Sequence, residues 1–330
     1  MISDPDTAPF VEYDRRFKLF GSHVRLLIGP PARAGLPSPE AMGIQIEFFL
    51  RLLHRKLTRF DRGSELCALN SEPGERCSVS PTLAVAVEAA LWAARRSDGL
   101  VDPTLVGDLE DAGYATSRAD LPSAAIPDAL AAAPDRSPAS PRADSAWREI
   151  SVDPVAGAVT RPAGVRIDTG GSGKGLAADL ASDRLGGYAT FVVDAGGDLR
   201  LGGERPVARE VRIDHPVEDE PADVFMLDRG AVATSGIKTR LWAADEGFAH
   251  HLLDPATGRP AWTGVIQATS LGVTALEAET LAKMAFLAGP APAREILSAH
   301  GGMIVLDDGS VERVGSLAAP TGVQAEAVAA

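Results

Sequence analysis

The second half of the chain is a succession of short, β-rich segments separated by turn residues, and this pattern limits the fold more than any other feature. Between residues 147 and 274, runs rich in Val, Ile and Thr alternate with Gly, Asp and Pro, as strands do when hairpins join them. Helical patterns interrupt this region only at 173–185 and follow it at 275–289. A doubly wound parallel sheet needs a helix in each connection, so we predict an α+β fold with antiparallel sheets.

The first half is mainly helical. Apolar residues recur at helical spacing in residues 41–60 and 80–99, and Ser80 is a natural N-cap. Residues 23–29 predict a strand, and residues 301–315 predict a strand pair around an Asp-Gly turn.

Residues 115–146 are rich in Pro, Ala and Ser and predict a surface excursion or a partly disordered insertion. Candidate functional motifs fall on both sides of this segment, which favours one domain with a long loop over two domains. We expect one domain at 17–315, with flexible segments at 1–16 and 316–330.

The chain is acidic, with 45 Asp and Glu against 32 Lys and Arg and a formal charge of −13. This charge argues against nucleic acids and anionic membranes as partners. The N-terminal segment lacks a signal-peptide pattern and no apolar run could span a membrane, so we expect a cytoplasmic protein without a membrane anchor. Cys67 and Cys77 match no metal or redox spacing, and we interpret them as incidental.

A glycine-rich turn, IDTGGSGKGLAAD at residues 167–179, joins a predicted strand to a predicted helix. Such turns let backbone N–H groups approach an anion, and the helix N-terminus favours negative charge. Lys174 adds a cation, although the spacing is neither a Walker A nor a Rossmann pattern. A tight turn with a solvated lysine is the alternative.

Three other motifs carry weaker signals. Residues 192–203 place Asp198 after a strand and two glycines, where it could bind a ribose or base, although a simple β-turn is favoured locally. His251 precedes an ordered turn, and a structural role is as well supported as a catalytic one. Residues 58–70 and 97–105 resemble loops when each is taken alone.

The order of the motifs resembles that of the ApbE family, the FAD:protein FMN transferases, over residues 17–289. The motifs that carry the resemblance are TRFDRGSELCALN, GLVDPTL, IDTGGSGKG, DAGGDLRLGG, AVATSG with the arginine at residue 240, HHLLDPATGRP and AETLAK. The resemblance implies a bilobal α+β fold related to the T-fold, with antiparallel sheets and packed helices. It also implies FAD as substrate and magnesium as cofactor. The FMN half would move to a threonine hydroxyl of an acceptor flavoprotein, and AMP would leave.

The resemblance also implies roles for individual residues. The glycine turn would cradle the diphosphate, and His251 would polarise or deprotonate the incoming hydroxyl. Gly173, through its carbonyl, and Glu279 would bind the metal. The residues implied to bind FAD are Phe20, Phe60, Leu100, Val101, Asp102, Gly170, Gly171, Lys174, Asp198, Thr234 and Ser235.

The sequence departs from the family at the metal-binding motif, which is close to A-D-A-L-A-T in the family and AETLAK here. Glu279 keeps the acid, but Lys283 replaces a threonine ligand, and an ammonium has no lone pair for a metal. The helix is apolar on both sides, which predicts that this i,i+4 pair is buried. We hypothesise that the Lys283 ammonium takes the position of magnesium and acts in catalysis. Alternatively, a metal still binds through Glu279, backbone oxygens and FAD.

This departure leaves three functions open. The favoured function is FMN transfer to a protein threonine. The first alternative is a degenerate protein that binds FAD without transferring FMN. The second is a pyrophosphatase that splits FAD into FMN and AMP, with water replacing the threonine hydroxyl.

Overall fold

The structure, a computed structural model, describes residues 11–245 and 247–315. In chain order, the helices are α1 (Pro39–Leu57), α2 (Glu65–Ser71), α3 (Pro81–Arg96), α4 (Val106–Asp111), α5 (Ile126–Ala132), α6 (Gly173–Asp183), α7 (Ala275–Ala288) and α8 (Pro290–Ser298). The strands are β1 (Tyr13–Leu19), β2 (Ser22–Ile28), β3 (Arg76–Ser78), β4 (Ser151–Asp153), β5 (Ala158–Thr160), β6 (Phe191–Ala195), β7 (Leu199–Gly202), β8 (Arg209–Asp214), β9 (Pro221–Leu227), β10 (Gly230–Gly236), β11 (Leu241–Ala244), β12 (Gly247–His250), β13 (Leu253–Asp254), β14 (Arg259–Pro260), β15 (Val265–Gly272), β16 (Gly302–Leu306) and β17 (Val311–Val314).

An eight-stranded sheet in the order β1-β2-β6-β7-β10-β15-β16-β17 forms the centre of the molecule. Every neighbouring pair in this sheet is antiparallel, so the predicted α+β class is confirmed. A three-stranded sheet, β3-β5-β4, lies apart from it under α2 and α3.

The central sheet is buried on both faces. In β2, Leu26 and Ile28 pack in a core with α1 and α6, whereas Leu27 between them packs in a second core. In β15 all eight residues are buried. Alternate side chains of a strand point to opposite faces, so these strands separate two cores and hold the helices at fixed positions.

Helices α6 and α7 position the functional residues described below. The Asp179 carboxylate of α6 accepts hydrogen bonds from the backbone N–H groups of Ala275 (2.8 Å) and Leu276 (2.9 Å), the first residues of α7. Burial raises the pKa of Asp179 to about 6 despite these two donors. The start of α7 is thereby fixed against the middle of α6.

The ordered fold begins earlier than the boundary of the expected flexible segment at 1–16. Strand β1 starts at Tyr13, four residues before the expected domain boundary at residue 17. The charged side chains of β1 are paired by hydrogen bonds. Asp14 accepts hydrogen bonds from Arg16 and Arg25, and Arg15 donates one to Glu47. Residues 1–10 of that segment and the predicted tail at 316–330 lie outside the described residues.

The segment 115–146 is a mostly exposed surface excursion, which is one of the two alternatives that the sequence predicts for it. It contains α5, and its backbone N–H groups bond carbonyls of the domain: Ala124 to Leu241 (2.8 Å) and Ala139 to Leu287 (2.8 Å). Because these anchors are backbone groups, side-chain composition gave no sign of them.

Residues 58–70 are also more regular than the predicted loop, since they include most of α2. Ser64 begins this helix by accepting a hydrogen bond from Cys67 N (3.0 Å). None of the helices in the described parts of the chain is long and apolar enough to cross a membrane. A cytoplasmic location stays a prediction.

Candidate functional site

Two adjoining cavities of about 580 and 1000 Å³ form the candidate site. The smaller, here called the apolar cavity, is walled by Phe60, Leu100, Val101, Leu105 and Tyr114. The larger, here called the polar cavity, is lined by groups that include Lys18, Asp194, Thr234, Ser235 and Lys238. Nine residues line both cavities, and five of them are here called the junction: Gly170, Lys174, Arg240, His251 and Lys283. Both volumes are in the range of small-molecule sites.

The glycine turn lies where the sequence predicts, at the start of α6. Gly170, Gly171 and Gly173 line the apolar cavity, and α6 begins at Gly173 without a side-chain cap. Gly175 serves packing instead, because a Cβ there would lie 2.6 Å from the carbonyl oxygen of Ala275. The turn therefore brings the N-terminus of α6, where Ser172 makes no side-chain cap, to the junction, and a helix N-terminus favours an anion.

Lys174 is held at the junction by a buried carboxylate. Its Nζ lies 2.6 Å from Asp198 Oδ2 and 3.3 Å from the carbonyl of Gly196. Burial alone would lower the pKa of Lys174, but the charges of Asp198 and Glu279 raise it above its ordinary value. Asp198 is 1% exposed and lines neither cavity, so it supports Lys174 from behind, whereas we expected it to contact a nucleotide.

Glu279 and Lys283 form the buried i,i+4 pair that the sequence predicts. Lys283 Nζ lies 2.8 Å from Glu279 Oε1, and Glu279 Oε2 accepts a hydrogen bond from Gly175 N at 2.8 Å. Glu279 is fully buried and lines neither cavity, whereas Lys283 lines both. Burial raises the pKa of Glu279 while the charge of Lys283 opposes that rise.

This arrangement does not fit a magnesium site at Gly173 and Glu279. Both oxygens of the carboxylate already accept hydrogen bonds, one of them from the Lys283 ammonium, which has no lone pair for a metal. Within the described ranges, no cluster of three or more His, Cys, Asp or Glu residues could hold a metal ion. The side chain of α7 that carries a positive charge to the cavities is Lys283.

The two adjacent histidines have different surroundings. His250 is fully buried, with its ring 4.8 Å from the Trp262 ring, and burial lowers its pKa to about 3. His251 lines both cavities, and its buried Nδ1 has no hydrogen-bond partner among the described residues. Burial lowers the pKa of His251 well below its ordinary value, as do the nearby charges of Arg240, Lys283 and Lys174. His251 is therefore neutral and can accept a proton.

Aromatic rings form one end of the apolar cavity. The Phe60 ring is 5.4 Å from that of Tyr114, and the Arg59 guanidinium lies 4.2 and 4.5 Å from these two ring centres. Phe60 is 38% exposed and lines the apolar cavity, so part of its ring is accessible to a ligand. Phe20 lines both cavities with a left-handed backbone (φ 55°), which is rare for a bulky residue.

The sequence did not identify every residue that the structure brings to the site. Arg240 belongs to the motif AVATSG…R but was assigned no role; it lies at the junction and has no hydrogen bond or ion pair to the described part of the chain. Arg59 and Tyr114 line the apolar cavity, and Tyr114 lies near the Pro/Ala-rich segment, which gave no such signal. Of the residues predicted to bind FAD, metal or acceptor, all but Asp198 and Glu279 line at least one cavity.

Comparisons with known proteins identify the family of the chain. The family model described as "ApbE family" matches residues 21–306. An FAD:protein FMN transferase of Treponema pallidum is 29% identical over 289 residues, which are 81% of this chain and 78% of that protein. One of Rhodobacter capsulatus is 29% identical over 324 residues, and the match spans 92% of this chain but only 57% of that protein.

Solved structures show the same fold. The ApbE protein of Thermotoga maritima matches with a TM-score of 0.76 at 27% identity, covering 92% of this chain and 97% of that one. The flavin transferase ApbE of Vibrio cholerae matches with a TM-score of 0.71 at 19% identity, a likeness of fold alone. The family model spans most of the chain, so the resemblance predicted from the motifs is confirmed, and the chain belongs to the ApbE family.

Proposed function

We propose that this chain is an FAD:protein FMN transferase that moves FMN from FAD to a threonine hydroxyl of an acceptor flavoprotein. The threonine oxygen attacks the phosphorus of the FMN half, and a new O–P bond forms. The bond from that phosphorus to the bridging oxygen breaks, and AMP leaves with the bridging oxygen and its electron pair. The proton of the threonine hydroxyl passes to His251. Family membership and the two relatives named as FMN transferases support this reaction.

The observation that carries the proposal is the position of three cations between two cavities. Lys174, Arg240 and Lys283 all line both cavities, in a chain whose formal charge is −13. FAD has the matching layout, with two ring systems joined by a diphosphate at the centre. Cations placed where charge develops on phosphate oxygens stabilise a phosphoryl-transfer transition state.

The cavity walls also fit FAD. The apolar cavity offers the open face of Phe60 and the side chains of Leu100 and Val101 to a flat ring. In the polar cavity, Thr234 and Ser235 of β10 offer hydroxyl groups to a sugar or phosphate.

His251 is suited to accept the threonine proton. It is neutral, its Nδ1 has no hydrogen-bond partner in the described ranges, and it lies at the junction. Part of the depression of its pKa comes from Arg240, Lys283 and Lys174. A bound diphosphate offsets these charges, so FAD binding raises the basicity of His251 at the moment it is needed.

Lys283 supplies the charge that a metal would otherwise supply. Its ammonium faces both cavities and is fixed by Glu279, so it can stabilise a phosphate oxygen without a metal ligand set. We propose that transfer proceeds without magnesium at Glu279. The single positive charge of Lys283 replaces the two charges of a magnesium ion. The phosphate is then no longer oriented by direct coordination to a metal.

The test is incubation of the purified chain with FAD and an acceptor flavoprotein domain, with EDTA in one arm and added magnesium in another. Intact-mass measurement should show an acceptor heavier by one FMN in both arms. The matched control is the same domain with its acceptor threonine replaced by alanine, which should stay unlabelled. FAD binding without labelling would favour the degenerate binding protein, and AMP release without any acceptor would favour the pyrophosphatase.

A further inference from the structure

The glycine turn before α6 is held from outside by a side chain that the reaction described above does not use. Residues 165–169 lead into this turn and belong to no helix or strand, although the sequence predicts a strand there. At Ile167, three residues before Gly170, one side chain pairs with the backbone instead. Asn70 Nδ2 donates to the carbonyl of Ile167 (2.8 Å), and Asn70 Oδ1 accepts a hydrogen bond from its N–H (2.8 Å).

This pairing replaces the contact that a neighbouring strand would make. An asparagine side chain carries the same donor and acceptor as a peptide group, so it can satisfy the N–H and C=O of one residue together. Ile167 is fully buried, and buried backbone groups without partners are costly. Asn70 is the last residue of the motif TRFDRGSELCALN, and it fixes the backbone that leads into the glycine turn.

Asn70 lies in the last turn of α2, which a buried arginine holds in place. Arg161 is 1% exposed, and its Nη2 donates to the carbonyls of Leu69 (2.7 Å) and Glu72 (2.6 Å), which flank Asn70. These carbonyls are at the C-terminal end of α2, where a positive charge is favourable. The support behind the turn is therefore fixed before any ligand binds.

The other end of α2 is joined to the wall of the apolar cavity. Ser64, the N-cap of α2, donates its backbone N–H to the carbonyl of Asp61 (2.9 Å). Cys67 Sγ donates to the carbonyl of Arg59 (3.4 Å). Phe60, which lies between Arg59 and Asp61, lines the apolar cavity. Helix α2 therefore connects one wall of the apolar cavity to the glycine turn.

We propose that Asn70 is a positioning residue, which holds the glycine turn where its backbone N–H groups meet a diphosphate. Asn70 lines neither cavity, so it acts through Ile167 and not by touching the ligand. The inference rests on the proposed function, because FAD is the ligand whose diphosphate the turn would receive. Without the two hydrogen bonds, the turn keeps its glycines but loses its fixed position against α2. Its N–H groups then align poorly with phosphate oxygens.

The test measures how much a diphosphate adds to binding. The wild-type protein and Asn70→Ala are titrated with FAD, adenosine and ADP, and the readout is the adenosine Kd divided by the ADP Kd. We expect this ratio to fall about fivefold to tenfold in Asn70→Ala, because the cations of the junction remain while the N–H groups lose their alignment. A general loss of stability would weaken adenosine and ADP binding equally, so it would leave the ratio unchanged.

Ser71→Ala is the matched control for Asn70→Ala. Ser71 also lies at the end of α2, but its Oγ donates within the helix, to the carbonyl of Cys67 (2.8 Å). The ratio should change less than about twofold in Ser71→Ala. If Asn70→Ala does not fold, Asn70→Gln takes its place, since it keeps the amide but displaces it from Ile167 by one methylene group. The ratio should fall in that variant too.

Three results would overturn the proposal. They are an unchanged ratio in the folded Asn70 variant, an equal fall in Ser71→Ala, and a wild-type protein that binds FAD but does not prefer ADP to adenosine. Failure of the wild-type protein to bind FAD at all would instead count against the proposed function, so the two failures are distinguished.

Discussion

Lys283 Nζ lies 2.8 Å from Glu279 Oε1, one turn apart on α7, and the other oxygen of that carboxylate accepts a hydrogen bond from Gly175 N of α6. The carboxylate thus ties the lysine to the start of the neighbouring helix. A buried ion pair adds little stability by itself, because desolvation offsets much of the attraction between the charges. The pair is better explained by the junction it faces, where the ammonium can meet a diphosphate.

We expect the substitution Lys283→Thr to change the metal requirement. It removes the ammonium, frees Glu279 Oε1 and restores the threonine typical of the family motif. Labelling by the wild-type protein should differ by less than about twofold between EDTA and magnesium. Labelling by Lys283→Thr should be low in EDTA and rise at least about tenfold with magnesium, since a metal then supplies the missing charge.

Lys283→Met is the matched control for this experiment, because it removes the charge and supplies no oxygen ligand. It should be slow in both conditions. Strict magnesium dependence of the wild-type protein would contradict the replacement of a metal by Lys283.

The pH dependence of transfer should reflect His251. Only the neutral imidazole can accept the threonine proton, so activity is lost as pH falls through the pKa of His251. That pKa is lowered in the free protein, so kcat/KM should hold down to a pH well below the ordinary histidine range. Bound diphosphate raises the pKa, so the acid limb of kcat should lie at higher pH than that of kcat/KM.

His251→Gln tests the same assignment without a pH scan. It keeps a polar side chain but no proton acceptor of suitable basicity. We expect kcat to fall by about 10²–10⁴-fold while the Kd for FAD changes little. A variant that loses FAD affinity but keeps kcat would show that His251 binds the substrate and does not act as a base.

Arg240 should contribute to FAD binding through charge. It faces both cavities without a hydrogen bond or ion pair in the described ranges, so its full charge is available to a diphosphate. Arg240→Gln should raise the Kd for FAD about tenfold and reduce the dependence of binding on salt. The control is Lys238→Gln in the polar cavity, whose ammonium already donates to the carbonyl of His215 (3.0 Å) and which should change Kd less than twofold.

The sequence was most informative where the chemistry is local. The hairpin turns predicted the antiparallel sheet, and Ser80 caps α3 as predicted. The apolar residues on all sides of α7 predicted the burial of Glu279. The sequence was least informative where tertiary packing determines the orientation of a side chain. Asp198 follows a strand like a ligand-binding residue, but its orientation behind Lys174 depends on how α6 packs beside β6 and β7. Tyr114 lies at the apolar cavity with its ring 5.7 Å from that of Trp242, a contact distant in the chain that no local pattern records.

The glycines of the turn before and within α6 should differ in what they tolerate, because they serve different purposes. A Cβ at Gly175 would lie 2.6 Å from the carbonyl oxygen of Ala275, and rigid backbone on both helices prevents relief. Gly175→Ala should therefore lower the free energy of unfolding by about 1–3 kcal/mol or more.

At Gly171 the atom nearest to an added Cβ would be Val101 Cγ1 at 3.4 Å, an ordinary contact at the cavity wall. Gly171→Ala should change stability by less than about 1 kcal/mol yet weaken FAD binding, since the methyl group enters the cavity. Urea unfolding and FAD titration of both variants check this contrast, and equal stability losses would show that the turn is uniformly structural.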